Sequence, residues 1–150
     1  MAEVVIGPAT AGDRGEILRL LEGQFAEHRI PFDETVAGGA VDGAFADAGR
    51  GLFLIARDAG EGVGFAYLAR NWTLEHGGPC AWLEEMYVLP ERRSEGVGKR
   101  LLEAVLGAAR EAGCRAVDLE VDEEHARAER LYERRGFRRV VRNRWTIPLL

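Results

Sequence analysis

The chain has 150 residues, 47% of them hydrophobic and 30% charged, with a formal net charge of -5. A chain of this size can bury a core of its own, so we expect one domain over residues 1–150. The acidic balance argues against a nucleic-acid-binding protein, which needs cationic side chains to displace counterions from phosphates, and it fits a small cationic partner better.

The N-terminal half of the chain predicts a strand, two helices and a hairpin. The apolar run at 4–7 (VVIG) is typical of a strand, and Asp13 is a candidate cap for the helix after it, whose apolar residues Ile17, Leu18, Leu21 and Phe25 recur at helical spacing. A second helix over 35–47 is less regular, because its glycines each cost ~1 kcal/mol relative to alanine. Two apolar runs around DAGEG, at 51–70, predict a hairpin.

The C-terminal half predicts strands that alternate with helices. WLEEMYV at 82–88 is a strand, and an apolar stripe from Val97 to Ala109 predicts a helix closed by Gly113. AVDLEV at 116–121 alternates as a strand does, and HARAERLYERR at 125–135 is a helix stopped by Gly136. Residues 137–149 predict one or two closing strands. This order predicts a mixed α/β (α+β) fold with a βαβ unit at 83–121.

The segment ERRSEGVGKR, at 91–100, has two glycines between the predicted strand and helix, as phosphate-binding loops do. The dinucleotide fingerprint G-x-G-x-x-G fails because Leu101 stands in place of the third glycine, and the P-loop pattern fails at Arg93 and Arg100. What remains is R-x-x-G-x-G at 93–98. The first turn of the helix would offer backbone N–H donors to an anion that glycine allows to approach. A tight turn without a ligand explains the same glycines, so both interpretations stay open at this point.

Two sequence blocks together resemble the core motifs of the GNAT superfamily of acyl-CoA-dependent N-acetyltransferases. LEEMYVLPERRSEGVGKRLLEAV at 83–105 resembles its strand, R-x-x-G-x-G loop and helix, and AVDLEVDEEHARAERLYERRGF at 116–137 resembles its following strand and helix. Residues 64–102 are also similar to the branch that contains diamine and spermidine/spermine acetyltransferases. The resemblance implies a single domain with a central, mostly antiparallel twisted sheet, a β-α-β cofactor-binding unit and helices on both faces, and it implies a homodimer.

The resemblance also assigns residues to acetyl-CoA and coenzyme A. It implies that the pantetheine arm pairs with the strand backbone at Met86, Tyr87 and Val88. An amide near Tyr87 or Val88 would polarise the acetyl carbonyl, an effect of about 3 kcal/mol by analogy with one oxyanion-hole donor. The side chain of Glu95 is expected to point away from the pyrophosphate. The pyrophosphate itself would bind backbone N–H groups of the loop residues Arg93, Ser94, Glu95, Gly96, Val97, Gly98 and Lys99.

Three residues of the second block, Tyr132, Ala128 and His125, share one helical face because they are spaced by four and three residues. The resemblance implies that Tyr132 donates a proton to the leaving thiolate and that Ala128 leaves room for coenzyme A. His125 occupies a position that asparagine usually holds, from which imidazole can donate a hydrogen bond to the coenzyme. From spacing alone, Tyr132 would be assigned to the core.

The neighbouring glutamates Glu84 and Glu85 supply carboxylates that amine acetylation needs. An alkylamine resembles lysine, with a pKa near ~10.4, so it must lose a proton before it attacks a thioester. We assign Glu84 as the general base, with Glu85 as the alternative for that role, and the other carboxylate to the cationic tail of the substrate; both are substrate-binding candidates. Because strand side chains alternate, the two point to opposite faces unless a bulge intervenes. Exposed carboxylates without a role are the alternative.

These features predict an N-acetyltransferase that transfers the acetyl group of acetyl-CoA to a primary amine of a small cationic molecule, such as a polyamine, diamine or amino acid. We expect direct attack in a ternary complex, since no activated serine or cysteine nucleophile is apparent. The alternatives are a non-catalytic CoA-binding or regulatory module of the same fold, an acetyltransferase of protein or peptide amines, and a P-loop nucleotide-binding protein.

Location and metal content follow from what the sequence lacks. It has no uncharged apolar run of about 18 residues and no leader-like N-terminus, so we expect a cytoplasmic protein that binds neither membrane nor nucleic acid. Cys80 and Cys114 lack the spacing of a metal or redox motif, which predicts reduced thiols. His28 and His76 have no ligand-like neighbours in the sequence, so we expect no metal site.

Overall fold

The computed structural model describes residues 3–122 and 125–150 of the chain. The chain divides into two compact units, Met1–Glu120 and Val121–Leu150. Within the described residues, the first unit contains five strands and three α-helices, and the second contains one α-helix. None of the helices in these parts of the chain is both long and apolar enough to span a bilayer.

The first unit is a five-stranded sheet with helices between its strands. In chain order it runs β1 (Val5–Pro8), α1 (Arg14–Glu27), α2 (Glu34–Ala46), β2 (Gly51–Asp58), β3 (Glu61–Thr73), β4 (Gly78–Val88), α3 (Val97–Glu111) and β5 (Val117–Leu119). The strands lie in chain order; β1 to β4 pair antiparallel, and β5 pairs parallel to β4. The predicted mixed fold, with a mostly antiparallel sheet and a β-α-β unit, is confirmed.

Helices cover both faces of this sheet. On one face, the core cluster joins α1 and α2 to aromatic side chains of the strands, among them Phe53, Phe65 and Tyr87. On the other face, α3 lies so close that a Cβ atom added to Gly64 would be 3.2 Å from a methyl carbon of Leu101. Side chains alternate along a strand, so Gly64 and its neighbour Phe65 face opposite helices. Glycine at position 64 therefore lets α3 approach the sheet.

Helix α2 forms despite its glycines because its first turn is capped. The Asp33 carboxylate accepts hydrogen bonds from the backbone amides of Thr35 and Val36, at 2.9 and 3.1 Å. These bonds satisfy two of the donors that a helix leaves open at its start. The side chains of Ala37 and Val41 are buried. The predicted helix at 35–47 is confirmed, with each bound one residue earlier.

The second unit contains helix α4 (Ala126–Arg134), which ends shortly before Gly136, where φ is 97°. Residues 137–150 contain no strand, so the prediction of closing strands was wrong. A strand needs partners for its backbone groups, whereas the bond from the Arg142 amide to the Val140 carbonyl is a local turn. The apolar side chains that suggested strands are exposed, including Val141, Trp145 and Ile147.

Candidate active site

A β-bulge in β4 brings the two glutamates together. Along the β3–β4 pair, Tyr67 is opposite Glu85 and Leu68 is opposite Leu83, which leaves Glu84 as an extra residue in β4. In such a bulge, two residues of one strand oppose a single residue of the other. Glu84 and Glu85 therefore both oppose Tyr67, and the alternation that would send them to opposite faces is interrupted here.

Glu85 lies in surroundings that favour its neutral form. Its side chain is half-buried, whereas Glu84 is exposed. Burial, followed by the charge of Glu84, raises the pKa of Glu85 to about 7, against smaller opposing effects of the His28 charge and a hydrogen bond with Gln24. Glu85 thus exchanges its proton near neutral pH, where an ordinary glutamate is fully ionised.

Gln24 of α1 connects the first helix to the bulge. It is a buried polar side chain, 6% exposed. Its amide nitrogen donates to the carbonyl oxygen of Met86 at 3.5 Å, and the side chain is also hydrogen-bonded to Glu85. Its carbonyl oxygen is buried and has no hydrogen-bond partner within the described part of the chain. Sequence reasoning missed Gln24, although it lies on the apolar face of α1 with Ile17, where a polar side chain needs a partner.

Strand β4 extends beyond its parallel partner. β5 pairs with three residues of β4, Ala81, Trp82 and Leu83, and β4 continues to Val88 with β3 on one side. No strand among the described residues pairs with the other side of β4 after Leu83. The edge formed by residues 84–88 is therefore open to an extended ligand that can pair with backbone groups.

The backbone groups at this open edge follow the antiparallel alternation. The Leu89 amide donates to the Val63 carbonyl of β3 at 2.9 Å, so Tyr87 directs its backbone groups toward β3, while Met86 and Val88 direct theirs away from it. The carbonyl oxygens of Met86 and Val88 both accept side-chain hydrogen bonds. The amides of Tyr87 and Val88 are the two that the sequence suggests as candidate donors to an acetyl carbonyl. Because the Val88 amide is directed toward the open edge and the Tyr87 amide toward β3, the structure favours Val88.

The loop between β4 and α3 contains two residues with a left-handed backbone. Ser94 has a φ of 72°, and Gly96, which directly precedes α3, has a φ of 83°. A Cβ atom on Gly96 would meet nothing within 4 Å, so its backbone conformation accounts for glycine there. The amides of Val97, Gly98 and Lys99 have no intrahelical acceptor. With the dipole of α3 they form a site suited to an anion.

Ion pairs hold this loop in place. The Arg93 guanidinium donates to both carboxylate oxygens of Glu27 in α1, at 2.9 and 2.5 Å. Arg92 donates to Glu95 at 2.7 Å and pairs with Asp58 at 2.8 Å. The charge of Glu95 is therefore neutralised by a neighbouring arginine, which reduces its repulsion of an anion at the loop.

In the second unit, the sequence-predicted residues lie along α4. His125 directly precedes the helix, and its carbonyl oxygen accepts the Glu129 amide at 3.1 Å. Ala128 and Tyr132 follow within the helix. Tyr132 is half-buried, with its ring 5.7 Å from that of Phe137 in an edge contact. Burial raises the pKa of Tyr132 to about 12, so its phenol keeps its proton at neutral pH.

The expectation that His76 lacks ligand-like neighbours was wrong. Its Nε2 atom lies 3.1 and 3.0 Å from the two carboxylate oxygens of Asp118. The thiol of Cys80 lies 3.7 Å from the same carboxylate. Asp118 is 42 residues from His76 along the chain, so the sequence pattern around His76 could not indicate this cluster.

Known proteins resemble this chain over most of its length. The profile of the acetyltransferase (GNAT) family matches residues 16–137. Aminoglycoside N(6')-acetyltransferase type 1 from Stenotrophomonas maltophilia is 31% identical over 140 residues, covering 91% of this chain and 88% of that protein. Thialysine N-epsilon-acetyltransferase from Sus scrofa is 30% identical over 151 residues, covering 92% and 86%. The chain spans between 27% and 59% of the length of four other curated relatives that it matches.

A solved structure shares the fold. The aminoglycoside N-acetyltransferase AAC(6')-Iy in complex with CoA has a TM-score of 0.84 with 19% sequence identity, and the match covers 100% of this chain and 97% of that chain. At this level of identity the likeness concerns the fold alone.

Proposed function

The chain belongs to the acetyltransferase (GNAT) family, and we propose that it transfers the acetyl group of acetyl-CoA to a primary amine of a small cationic molecule. The acceptor classes we propose are polyamines, diamines and amino acids. The observation that carries this proposal is the pair Glu84 and Glu85, which both oppose Tyr67 beside the open edge of β4. Two relatives, named for aminoglycoside and thialysine substrates, support an amine acceptor.

The reaction replaces a carbon–sulfur bond by a carbon–nitrogen bond and releases a proton from the amine. We propose that Glu85 receives this proton. A base is most effective when its pKa lies near the working pH, and a pKa of about 7 supports Glu85 in that role. The sequence led us to assign the base to Glu84; its exposure instead supports a role in attracting the ammonium group, while its charge keeps the pKa of Glu85 high.

The residues around the open edge fit coenzyme A, which supplies the acetyl group as a thioester. The loop offers the amides at the start of α3 to the pyrophosphate, and its left-handed residue Gly96 leaves space in front of the backbone. The edge of β4 after Leu83 offers backbone groups to the pantetheine arm. The Val88 amide, directed away from β3, is our proposed donor to the acetyl carbonyl.

Three residues of the second unit keep the roles that the family resemblance implies for them. We propose Tyr132 as the proton donor to the leaving thiolate, because its phenol is protonated across the physiological range. Ala128 and His125 remain the proposed contacts to coenzyme A. A homodimer remains a prediction from the family resemblance, and a cytoplasmic location remains a prediction from the sequence.

The proposal is tested by measuring thiol release from acetyl-CoA with a panel of polyamines, diamines, amino acids, an aminoglycoside and a lysine peptide. We expect turnover with at least one small cationic amine and none when the amine is omitted. Acetyl-CoA binding without turnover of any amine would support a non-catalytic module instead. If the lysine peptide were the only amine of the panel to be acetylated, the acceptor would be a protein amine instead.

A further inference from the structure

Three side chains with metal-binding atoms converge at the start of β4, away from the glutamate pair. They are His76 from the β3–β4 loop, Cys80 from β4 and Asp118 from β5, and one ligand atom of each lies within 4.8 Å of the others. Cys80 is 1% exposed, while the side chains of His76 and Asp118 are 27% and 41% exposed. The cluster thus has a buried sulfur at its base and a mouth toward solvent.

The local backbone explains why these residues meet. Gly77 and Gly78 adopt φ values of 82° and 143°, which turn the chain between His76 and Cys80. In the parallel β4–β5 pair, Trp82 is opposite Asp118. Cys80 precedes Trp82 by two residues, so Cys80 and Asp118 share a face of the sheet.

Two further contacts fix the loop that carries the histidine. Arg115 Nε donates to the His76 carbonyl oxygen at 2.8 Å, and the His76 amide donates to the Thr73 hydroxyl at 3.3 Å. A hydrogen bond from the Arg115 amide to the Pro79 carbonyl, at 2.8 Å, holds β4 against the residues that lead into β5. The donor atoms are therefore positioned by the backbone before any ion binds.

Two of the three distances between ligand atoms are close to those of a tetrahedral zinc site. Zinc bonds of ~2.0–2.1 Å to nitrogen and oxygen and ~2.3 Å to sulfur place a nitrogen and an oxygen ligand ~3.3 Å apart and a sulfur and an oxygen ligand ~3.5 Å apart. The corresponding distances here are 3.0 Å between His76 and Asp118 and 3.7 Å between Cys80 and Asp118. An ion needs shifts of only a few tenths of an ångström in these two pairs.

We propose that His76, Cys80 and Asp118 bind a zinc ion, with water as the fourth ligand. The spacing H-x-x-x-C is one that a turn of this size allows for two ligands of one ion. On binding, the Cys80 thiol loses its proton to solvent and the sulfur–zinc bond forms. The ion joins the β3–β4 loop to β5, which pairs with only three residues of β4. The site is independent of the proposed acetyl transfer.

Cobalt(II) is the probe, because it replaces zinc at tetrahedral sites and its bond to a thiolate absorbs light. The full chain is freed of metal with a chelator, titrated with cobalt(II) under reducing conditions, and then titrated with zinc. We expect one cobalt per chain with a sulfur-to-cobalt absorption band, and zinc should displace it. Cys80→Ser should abolish the band. Asp118→Asn should weaken cobalt binding by more than ~100-fold, beyond the loss seen for outer-shell partners.

The matched control is Cys114→Ser, which removes the only other cysteine of the chain and should leave the band and the affinity unchanged. Thermal unfolding of each metal-free variant checks that it is folded. If Cys80→Ser is not folded, the test uses His76→Gln instead. Zinc should then raise the Tm of the wild type but not the Tm of His76→Gln. Absence of the band at saturating cobalt, its persistence in Cys80→Ser, or equal zinc stabilisation of His76→Gln would overturn the proposal.

Discussion

Replacing Glu85 with glutamine should make the protein more stable at pH 8 and much slower as an enzyme. Glutamine has nearly the shape of glutamate but cannot ionise. The pKa of Glu85 is raised from 4.5 to about 7 in the folded protein. Between these values the unfolded chain ionises at this position while the folded protein does not, so wild-type stability falls as pH rises from 4.5 through 7. Because glutamine does not ionise, the stability of the variant does not fall in this way.

The size of the effect follows from the pKa difference. At ~1.4 kcal/mol per pKa unit, the loss of stability amounts to at most ~3.5 kcal/mol above pH 7. Glu85 is only partly buried, and screening by water reduces this to about 1–2 kcal/mol. For a domain of this length, each kcal/mol changes Tm by ~2–4 °C, so we expect Glu85→Gln to raise Tm by ~2–8 °C at pH 8. Loss of the base should lower kcat by ~10²–10⁴-fold.

The assay is thermal unfolding of wild type and Glu85→Gln at pH 5 and pH 8, with turnover measured on the same preparations. Glu103→Gln, the same change at an exposed position of α3, serves as the control and should shift Tm little at either pH. The reasoning fails if the Tm difference between Glu85→Gln and wild type is no larger at pH 8 than at pH 5. If Glu85→Gln turned over substrate at the wild-type rate, Glu85 would not be the general base.

Three further substitutions test the surroundings of this site. Glu84→Gln removes a charge that raises the pKa of Glu85. In a plot of kcat/KM against pH, the rise on the acid side reports this pKa, so it should move below pH 7 but stay above 4.5, because burial is the larger cause. An unchanged acid side would show that the two carboxylates do not interact. Gln24→Leu removes a hydrogen bond that lowers the pKa of Glu85, so the rise in kcat/KM on the acid side should move to higher pH. A move to lower pH would contradict the hydrogen bond between Gln24 and Glu85. Gly96→Ala forces a side chain onto a φ of 83°, which should cost ~1–2 kcal/mol and weaken CoA binding measured by calorimetry. Its control, Gly107→Ala in the open middle of α3, should stabilise by ~0.5–1 kcal/mol and leave CoA affinity unchanged.

The β-α-β unit could be predicted from the sequence because its signals are local. The apolar stripe of α3 and the glycines at both of its ends lie within about one helix length, and the structure places the helix between Val97 and Glu111. Residues 137–149 show the limit of local patterns. Their apolar residues suggested strands, but a strand forms only where another strand supplies backbone partners, and these residues form none.

The details of the site depend on contacts between distant residues. WLEEMYV fits a regular strand as well as a bulged one, and the choice follows from how Tyr67 and Leu68 of β3 pair with it. The contact of Gln24 with Met86 joins residues 62 positions apart. Residue types could therefore nominate Glu84 and Glu85, whereas their shared side of the strand and the raised pKa of Glu85 required the structure.

The bulge gives β4 one residue more than regular pairing with β3 requires. Deleting either glutamate yields the same sequence, WLEMYV, and would restore regular pairing with β3. Because Leu83 and Glu85 already pair with the neighbouring residues Leu68 and Tyr67, the remaining side chains of β4 would alternate regularly and keep their present faces of the sheet. The extra residue therefore adds a second carboxylate opposite Tyr67 without turning over the rest of the strand. The half of β4 up to Leu83 pairs with β5, and the half from Glu85 onward carries the open edge, so the additional carboxylate lies where the parallel pairing ends and the open edge begins.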